Sequence, residues 1–511
     1  MKRIRIWLLA LLALSASMQA KVYNMQALGA DPSGKRILTK VMDKALRAVE
    51  KDGGGTLYFP AGRYLTGPIH MVDNLTIELE AGAVLSFSDN FDDYLPFVRV
   101  RYEGLFMRTF SPLFYAEGKQ NLCLKGEGTL EGNGHRWWKA IGEVTAKRSG
   151  KLDQHEWSDY QALWAKENAA RVDEPYFPNQ FFRPPFIQFL ECKNIRIEGL
   201  TLQNSPFWTI NPVGCDDIHI QGVTILNPSS NPKGPNTDGI NPSSCRNVRI
   251  SDCFISVGDD CVTIKSGKDE DGRVYGRACE NITVSNCVML SGHGGVVIGS
   301  EMSGGVKNIS ISNCVFDGTG NGIRLKSQRG RGGVVENLRV NNLVMRNIQG
   351  TAFIFNLFYW GGSAEVEPVT ERTPIFRNIH ISNVTGVGVN QVCAMTGIEE
   401  MPVEEVSFDN VNIQAKTGFL AKTAKNIHLS NVDISVDSGP SFSFTDCDGL
   451  VLNDVRSKKP LDRQAILELK DSKNVLIRDC FQKVPTDIFS KVTDSDVIWG
   501  QNYFKNVAKV N

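Results

Sequence analysis

Nine times between Asn194 and Phe481 the chain repeats one phrase, an Asn or Asp followed by alternating apolar residues. It reads NIRIEGLTL from Asn194, DIHIQGVTI from Asp217, NVRISDCFI from Asn247, NITVSNCVM from Asn281 and NISISNCVF from Asn308. NLRVNNLVM from Asn337, NIHISNVTG from Asn378, NIHLSNVDI from Asn426 and NVLIRDCF from Asn474 complete the series. The first five copies start 23, 30, 34 and 27 residues apart, a period that belongs to solenoids. Period-2 alternation rich in β-branched residues makes each phrase a strand, and the Gly-, Asn- and Ser-rich stretches between them are turns. No long helical pattern separates the copies, so crossover helices are excluded and the coils must stack directly as an all-β parallel β-helix. An Asn at the same point of every coil can bond its side-chain amide to the coils above and below. Stacked strands leave an open end that needs a cap, and Lys35 to Lys51 is predicted to supply it as an amphipathic helix.

Cysteine follows the same register. Cys253, Cys287, Cys314 and Cys480 each fall six places after the phrase's Asn, and Cys192, Cys215, Cys245 and Cys279 two places before its first residue. That is the signature of stacked small interior residues, so most of the twelve are expected unpaired, although coils about 4.8 Å apart allow some disulfides. Neither spacing is a zinc pattern.

Lys2, Arg3 and Arg5, an apolar stretch from Trp7 to Leu14 and small residues to Ala20 read as a secretory leader, with removal expected near Ala20 or after Ser17. Residues 21–511 are then one catalytic β-helix domain, exported to a periplasm or beyond. No later run approaches the ~20 apolar residues of a membrane span. Lys+Arg and Asp+Glu are both 56, so no global field points to nucleic acid or a membrane surface, and attraction for an anion must be local. From Asn133 to Pro185 an insertion carrying Trp137, Trp138, Trp157, Trp164, Tyr176 and Phe177 interrupts the coils. It is either a wall of a functional cleft or a packed surface excursion.

Aligning four coils on the repeat sets Asn236-Thr-Asp-Gly-Ile240 beside Gly258-Asp-Asp-Cys-Val262, Gly292-His-Gly-Gly-Val296 and Thr319-Gly-Asn-Gly-Ile323. Asp238 then stacks on Asp260, while Thr237, Asp259 and His293 form the neighbouring column. Alternation turns Val262 and Ile264 inward and Thr263 and Lys265 outward, and sets Arg324 and Lys326 on the same outward face. Each piece alone has an ordinary explanation: Asn-Thr-Asp-Gly is a common turn, paired Asp residues are usually solvated, and outward cations mark an exposed strand. Ordinary structure would not, however, stack like charges in one register. Two carboxylates so close raise at least one pKa, and the cations hold others ionised. One protonated and one ionised carboxyl group are the apparatus of glycoside hydrolysis, with a separation of roughly 6.5–9.5 Å for the inverting route.

These motifs resemble those of glycoside hydrolase family 28, the polygalacturonases and related pectin hydrolases. Asn236-Thr237-Asp238, Asp259-Asp260, Gly292-His293-Gly294 and Arg324-Leu325-Lys326 stand in the family's order, and YNMQALGADPSG, GNGHRWW and RPPFIQF extend the similarity. The resemblance implies a single-stranded right-handed parallel β-helix. It makes Asp259 the general acid, Asp238 and Asp260 the residues sharing the attacking water, His293 the support of the acid's hydrogen bonds, and Arg324 and Lys326 the grip on a substrate carboxylate. The partner it implies is a pectic poly- or oligosaccharide, with no metal and no organic cofactor. His293 favours a galacturonide over a rhamnogalacturonan. Tyr359 and Trp360 are candidates for sugar stacking or for edge packing. The insertion suggests exo-action if it closes one end of the cleft. Two other classes stay open: a pectate lyase-like eliminase, in which the Asp cluster would hold Ca²⁺, and a non-catalytic polysaccharide-binding β-helix.

Overall fold

The computed structural model describes residues 21–151, 157–171, 180–230, 233–361, 365–504 and 507–509. The leader at 1–20, Tyr176 and Phe177 lie outside the described residues, as does the side chain of Trp360. Thirty strands form one continuous parallel sheet wound as a right-handed parallel β-helix.

Each repeat phrase is a strand paired in register with the next. Ile195 lies beside Ile218, Val248, Ile282, Ile309, Leu338 and Ile379 on successive coils. These residues are at most 2% exposed, and at about 1.5–3 kcal/mol for each buried aliphatic side chain they stabilise the stack continuously. The register is firm because a one-residue slip would send the whole apolar column to solvent. At the corner of the coil the phrase's Asn residues adopt positive φ and their amides form the expected ladder. Asn281 donates to Asn247 at 3.1 Å, Asn308 to Asn281 at 3.1 Å and Asn337 to Asn308 at 3.0 Å. Asn suits this corner because it tolerates the left-handed conformation and carries both a donor and an acceptor.

The twelve cysteines are unpaired, and all but Cys123 are buried. Their thiols serve the stack locally, as where Cys192 donates to the Leu190 carbonyl at 3.2 Å. The capping helix spans Thr39–Lys51, beginning later than expected because Ser33–Ile37 is a strand of the first coil. Its face of Met42, Ala45, Leu46 and Val49 joins the core.

The insertion holds two helices, His135–Arg148 and Ser158–Glu167, which the aromatic content concealed. Trp137, Trp138, Trp157 and Trp164 are all buried. Trp137 packs against Phe91 and Phe110 at centroid distances of 4.1 and 5.2 Å, and Trp164 against Phe110 at 5.5 Å. These tryptophans form a secondary core and not a set of sugar platforms.

Candidate active site

The outward face of one sheet carries the charges. Its register runs through Ile210, Ile240, Val262, Val296 and Ile323, so Asp238 does stack on Asp260, and Asp259 on His293. Asp238, Asp259 and Asp260 each bring one oxygen to within 4.8 Å of the others. Side chains from adjacent coils can approach this closely because the strands that hold them are about 4.8 Å apart. Gly294 occupies the place after Asp260, where a side chain would stand 3.4 Å from the Asp260 Oδ1.

Asp238, Asp259, Asp260, His293, Arg324, Lys326 and Tyr359 line a single cavity of about 380 Å³. Lys326 donates to Asp260 Oδ2 at 3.0 Å, and His293 Nδ1 lies 3.0 Å from Asp259 Oδ1. The Asp260 amide also donates to Asp259 Oδ1, at 2.9 Å, while Asn241 donates to Asp238 Oδ2 at 3.0 Å. Arg324 Nε is buried with no hydrogen-bond partner among the described residues, as a guanidinium waiting for an external anion would be. Tyr359 faces the cations: its ring centroid lies 5.5 Å from the Arg324 guanidinium and 5.7 Å from the Lys326 ammonium. Thr263 and Lys265 point out of the coil as expected, yet both are buried, because other segments cover this part of the sheet.

The carboxylates differ in environment. Burial, then the charge of Asp259, holds the Asp238 carboxyl well above the usual range, while Lys265 opposes. Burial acts to raise Asp259 too, but the bond and charge of His293, followed by Lys326 and Lys265, outweigh it and leave this group below its ordinary value. Asp238 is thus the raised carboxyl, but burial and Asp259 raise it more than the stacked Asp260 does. It is the member of the set held above its ordinary range, and Asp259 the member held below it. Lys265 pairs with Glu301 at 2.7 Å, which with Asp238 keeps it firmly charged against the effect of burial.

A stability effect follows from Asp238. A carboxyl whose folded pKa is raised contributes stability below its unfolded value, and that contribution is lost as pH climbs through the folded value. Asp238→Asn has no charge to bury, so its melting temperature is expected to exceed that of the parent by an amount growing above about pH 4. A gain of about 2 °C or more corresponds to roughly 1 kcal/mol in a large domain. Thermal melts from pH 3 to 8 check this, and parallel curves for the two proteins would refute it.

The trio also depends on residues that the repeat alignment did not reach. Arg183 is 1% exposed, donates to Asn236 Oδ1 at 2.8 Å and lies over the Phe207 ring at 4.9 Å, pinning the loop that presents Asp238. Trp208 lines the cavity one coil before Asp238 and could have been found by carrying the alignment back one coil.

More consequential is a hairpin, Val98–Tyr102 paired antiparallel with Leu105–Thr109, turning at Glu103 and Gly104. It runs beside the sheet from the coil of Gln188 to that of Glu301, so that its tip stands alongside the trio. Arg101 exchanges two hydrogen bonds with Gln188, at 3.1 and 2.9 Å, and reaches Ser244 Oγ at 3.0 Å. The outward residues Gln188, Asn211 and Asn241 are consequently fully buried. In the same row on the C-terminal side Arg324, Ile354 and Ala394 are half-buried and Leu420 is 43% exposed. Among the described residues the groove is closed before Asp238 and open after Arg324. The insertion stands behind this hairpin: Trp164 donates to Thr109 Oγ1 at 2.8 Å, and Asn168 accepts from the Arg108 amide at 2.7 Å. An alternating VRVRY and LFMRT around Glu-Gly was the available hairpin signal.

Residues 164–432 match the family model described as glycosyl hydrolases family 28. A protein of Vitis vinifera named "Probable polygalacturonase" is 30% identical over 434 residues, covering 83% of this chain and 79% of that one. Polygalacturonase-2 of Solanum lycopersicum is 25% identical over 346 residues, 65% of this chain and 64% of its own. The solved hyperthermoactive exopolygalacturonase of Thermotoga maritima is 31% identical with a TM-score of 0.70, over 82% of this chain and 92% of that one. The Yersinia enterocolitica family 28 exopolygalacturonase, 20% identical with a TM-score of 0.68 over 86% and 79% of the two chains, shares the fold.

Proposed function

The chain belongs to glycosyl hydrolases family 28, and from that premise we propose that it cleaves α-galacturonosyl linkages of pectic chains, one residue at a time from the non-reducing end and with inversion. As a glycoside hydrolase of the polygalacturonase type it acts on pectic polysaccharide.

The observation that carries the reading is the joint presence, in one cavity, of three interacting carboxylates and a buried guanidinium nitrogen without a partner. Asp259 donates its proton to the glycosidic oxygen, Asp238 and Asp260 hold the attacking water, and Arg324 and Lys326 receive the uronate by charge-assisted bonds. The reactive arrangement requires a proton on Asp259, the carboxyl that His293 and the neighbouring lysines hold below its ordinary range, so binding of the anionic sugar has to favour its protonated form. His293, whose Nδ1 faces Asp259, supports that carboxyl in either state. Contacts within 4.8 Å are closer to the retaining spacing of about 5–5.5 Å. Inversion therefore rests on two carboxylates flanking the acid and holding a water between them, not on distance.

Water attacks the anomeric carbon beside Asp238, and the leaving group departs over Asp259 toward Arg324. The glycone thus occupies the lobe that the hairpin closes, which supports exo-action, as does the likeness to the Thermotoga maritima exopolygalacturonase. The trio could also ligate a divalent cation. Lys326 on Asp260 and Lys265 nearby already neutralise its charge, which favours hydrolysis over calcium-dependent elimination. The leader pattern at 1–20 supports export to the periplasm or beyond.

The test is digestion of polygalacturonate and of rhamnogalacturonan oligosaccharides by the purified mature chain, with products sized and the first anomer read by NMR. Monogalacturonate of inverted configuration is expected from polygalacturonate from the earliest times, with slow viscosity loss and no effect of chelator. Oligomers from the outset would overturn exo-action, and the α-anomer would overturn inversion. Unsaturated, chelator-sensitive products would make the protein a lyase.

A further inference from the structure

The closed lobe contains a carboxylate that the catalytic scheme does not use. Glu103 sits at the turn of the hairpin, lines the same cavity as Asp238, and has no hydrogen-bond or ion-pair partner for its side chain among the described residues. Every other acidic side chain lining the cavity is engaged: Asp238 by Asn241, Asp259 by His293, Asp260 by Lys326 and Glu301 by Lys265. The hairpin holds Glu103 firmly. The Gly104 carbonyl accepts from the Arg101 Nε at 3.2 Å and from the Lys268 amide at 3.2 Å. A side chain at Gly104 would stand 2.8 Å from Lys268 and 3.0 Å from Glu301, so the tip is wedged between them.

A carboxylate is a poor neighbour for a uronate carboxylate but a strong acceptor for sugar hydroxyls. Burial, and then the Glu301 charge, raises the Glu103 carboxyl, while Lys268, Arg183 and Lys265 oppose. Resting on the exo reading above, we propose that Glu103 determines end specificity by accepting a hydrogen bond from the free hydroxyl of the non-reducing terminal ring, the position at which an internal residue would carry the next sugar. An internal residue has no hydroxyl there to donate, and its next sugar would meet the hairpin. Specificity built on such a bond is sharp because the analogue lacking the hydroxyl leaves a buried acceptor unpaired.

The experiment compares the parent with Glu103→Ala and Glu103→Gln on trigalacturonate and on a trimer whose terminal ring is unsaturated and lacks that hydroxyl, alongside calorimetric binding of free galacturonate and thermal melts. Glu103→Ala is expected to lower kcat/KM on the saturated trimer by about tenfold or more, the size of a lost charged hydrogen bond, and to weaken galacturonate binding similarly. The unsaturated trimer should change less than about twofold, so that discrimination between the trimers collapses. Glu103→Gln, which keeps one acceptor, should fall between. Equal cleavage of the saturated trimer and equal galacturonate binding by parent and variants would overturn the inference while leaving the exo reading intact, as would an equal loss on both trimers with an unchanged melting temperature. A parent that releases no monomer from either trimer and binds no galacturonate would refute the exo reading, and this inference with it.

Discussion

Asp259→Asn is expected to reduce kcat on galacturonan by about 10²-fold or more while leaving the fold unchanged, the loss typical of a missing general acid. The substitution is nearly isosteric, and its amide oxygen can still accept from the Asp260 amide and from the His293 Nδ1, so the two bonds at 2.9 and 3.0 Å can persist. Only the transferable proton is lost. A substrate with an activated aryl leaving group needs no protonation, so the same variant should recover most of its rate there. That recovery separates an acid from a merely structural carboxylate. If instead the activated substrate rescues Asp238→Asn and not Asp259→Asn, the raised carboxyl of Asp238 is the acid and the two roles exchange.

Lys326→Met should cost both stability and activity. Lys326 and Asp260 form a buried pair at 3.0 Å with side chains 10% and 1% exposed, and Asp260 Oδ1 has no hydrogen-bond partner among the described residues. Removing one member of such a pair leaves an uncompensated charge and typically costs about 3–5 kcal/mol. Adding Asp260→Asn removes that charge and should restore most of the denaturant midpoint, while hydrolysis stays absent because both the substrate cation and a water-holding carboxylate are gone. Chemical unfolding of the single and double variants, assayed in parallel, checks this. A double variant as unstable as the single one would mean that Lys326 stabilises through its packing and not through its charge.

Architecture was legible because it is written locally and repeated. Alternation fixes which side chains enter the core, and the coil corner needs Asn at positive φ, as at Asn281 and Asn308. A period-2 strand cannot shift register without exposing its apolar column. Stacking therefore carried Asp238 onto Asp260 and Asp259 onto His293 with no further information. Interior cysteine was legible for the same reason.

What the repeat left open needed distances between non-repeating segments. The insertion could be a cleft wall or a packed excursion, and its tryptophans pack because large apolar rings pack against one another when a second layer is near, which Phe91, Phe110 and Phe181 provide. Lys265 is outward as alternation requires but not exposed, because alternation reports a side chain's direction and says nothing of what lies above it.

The solenoid, its register and the charge column on one face were therefore readable from the repeat, since each follows from contacts between neighbouring coils. That the groove ends before Asp238 came from packing between distant segments. Nothing in the periodicity of VRVRY and LFMRT states where a hairpin will lie, and its seat over Gln188 and Asn211 comes from the buried hydrogen bonds of Arg101 and from the aromatic core behind it. The separation of the Asp238 and Asp259 proton affinities was likewise decided there, because it depends on burial and on the charges of Lys265, His293 and Lys326, which reach the cavity from different coils.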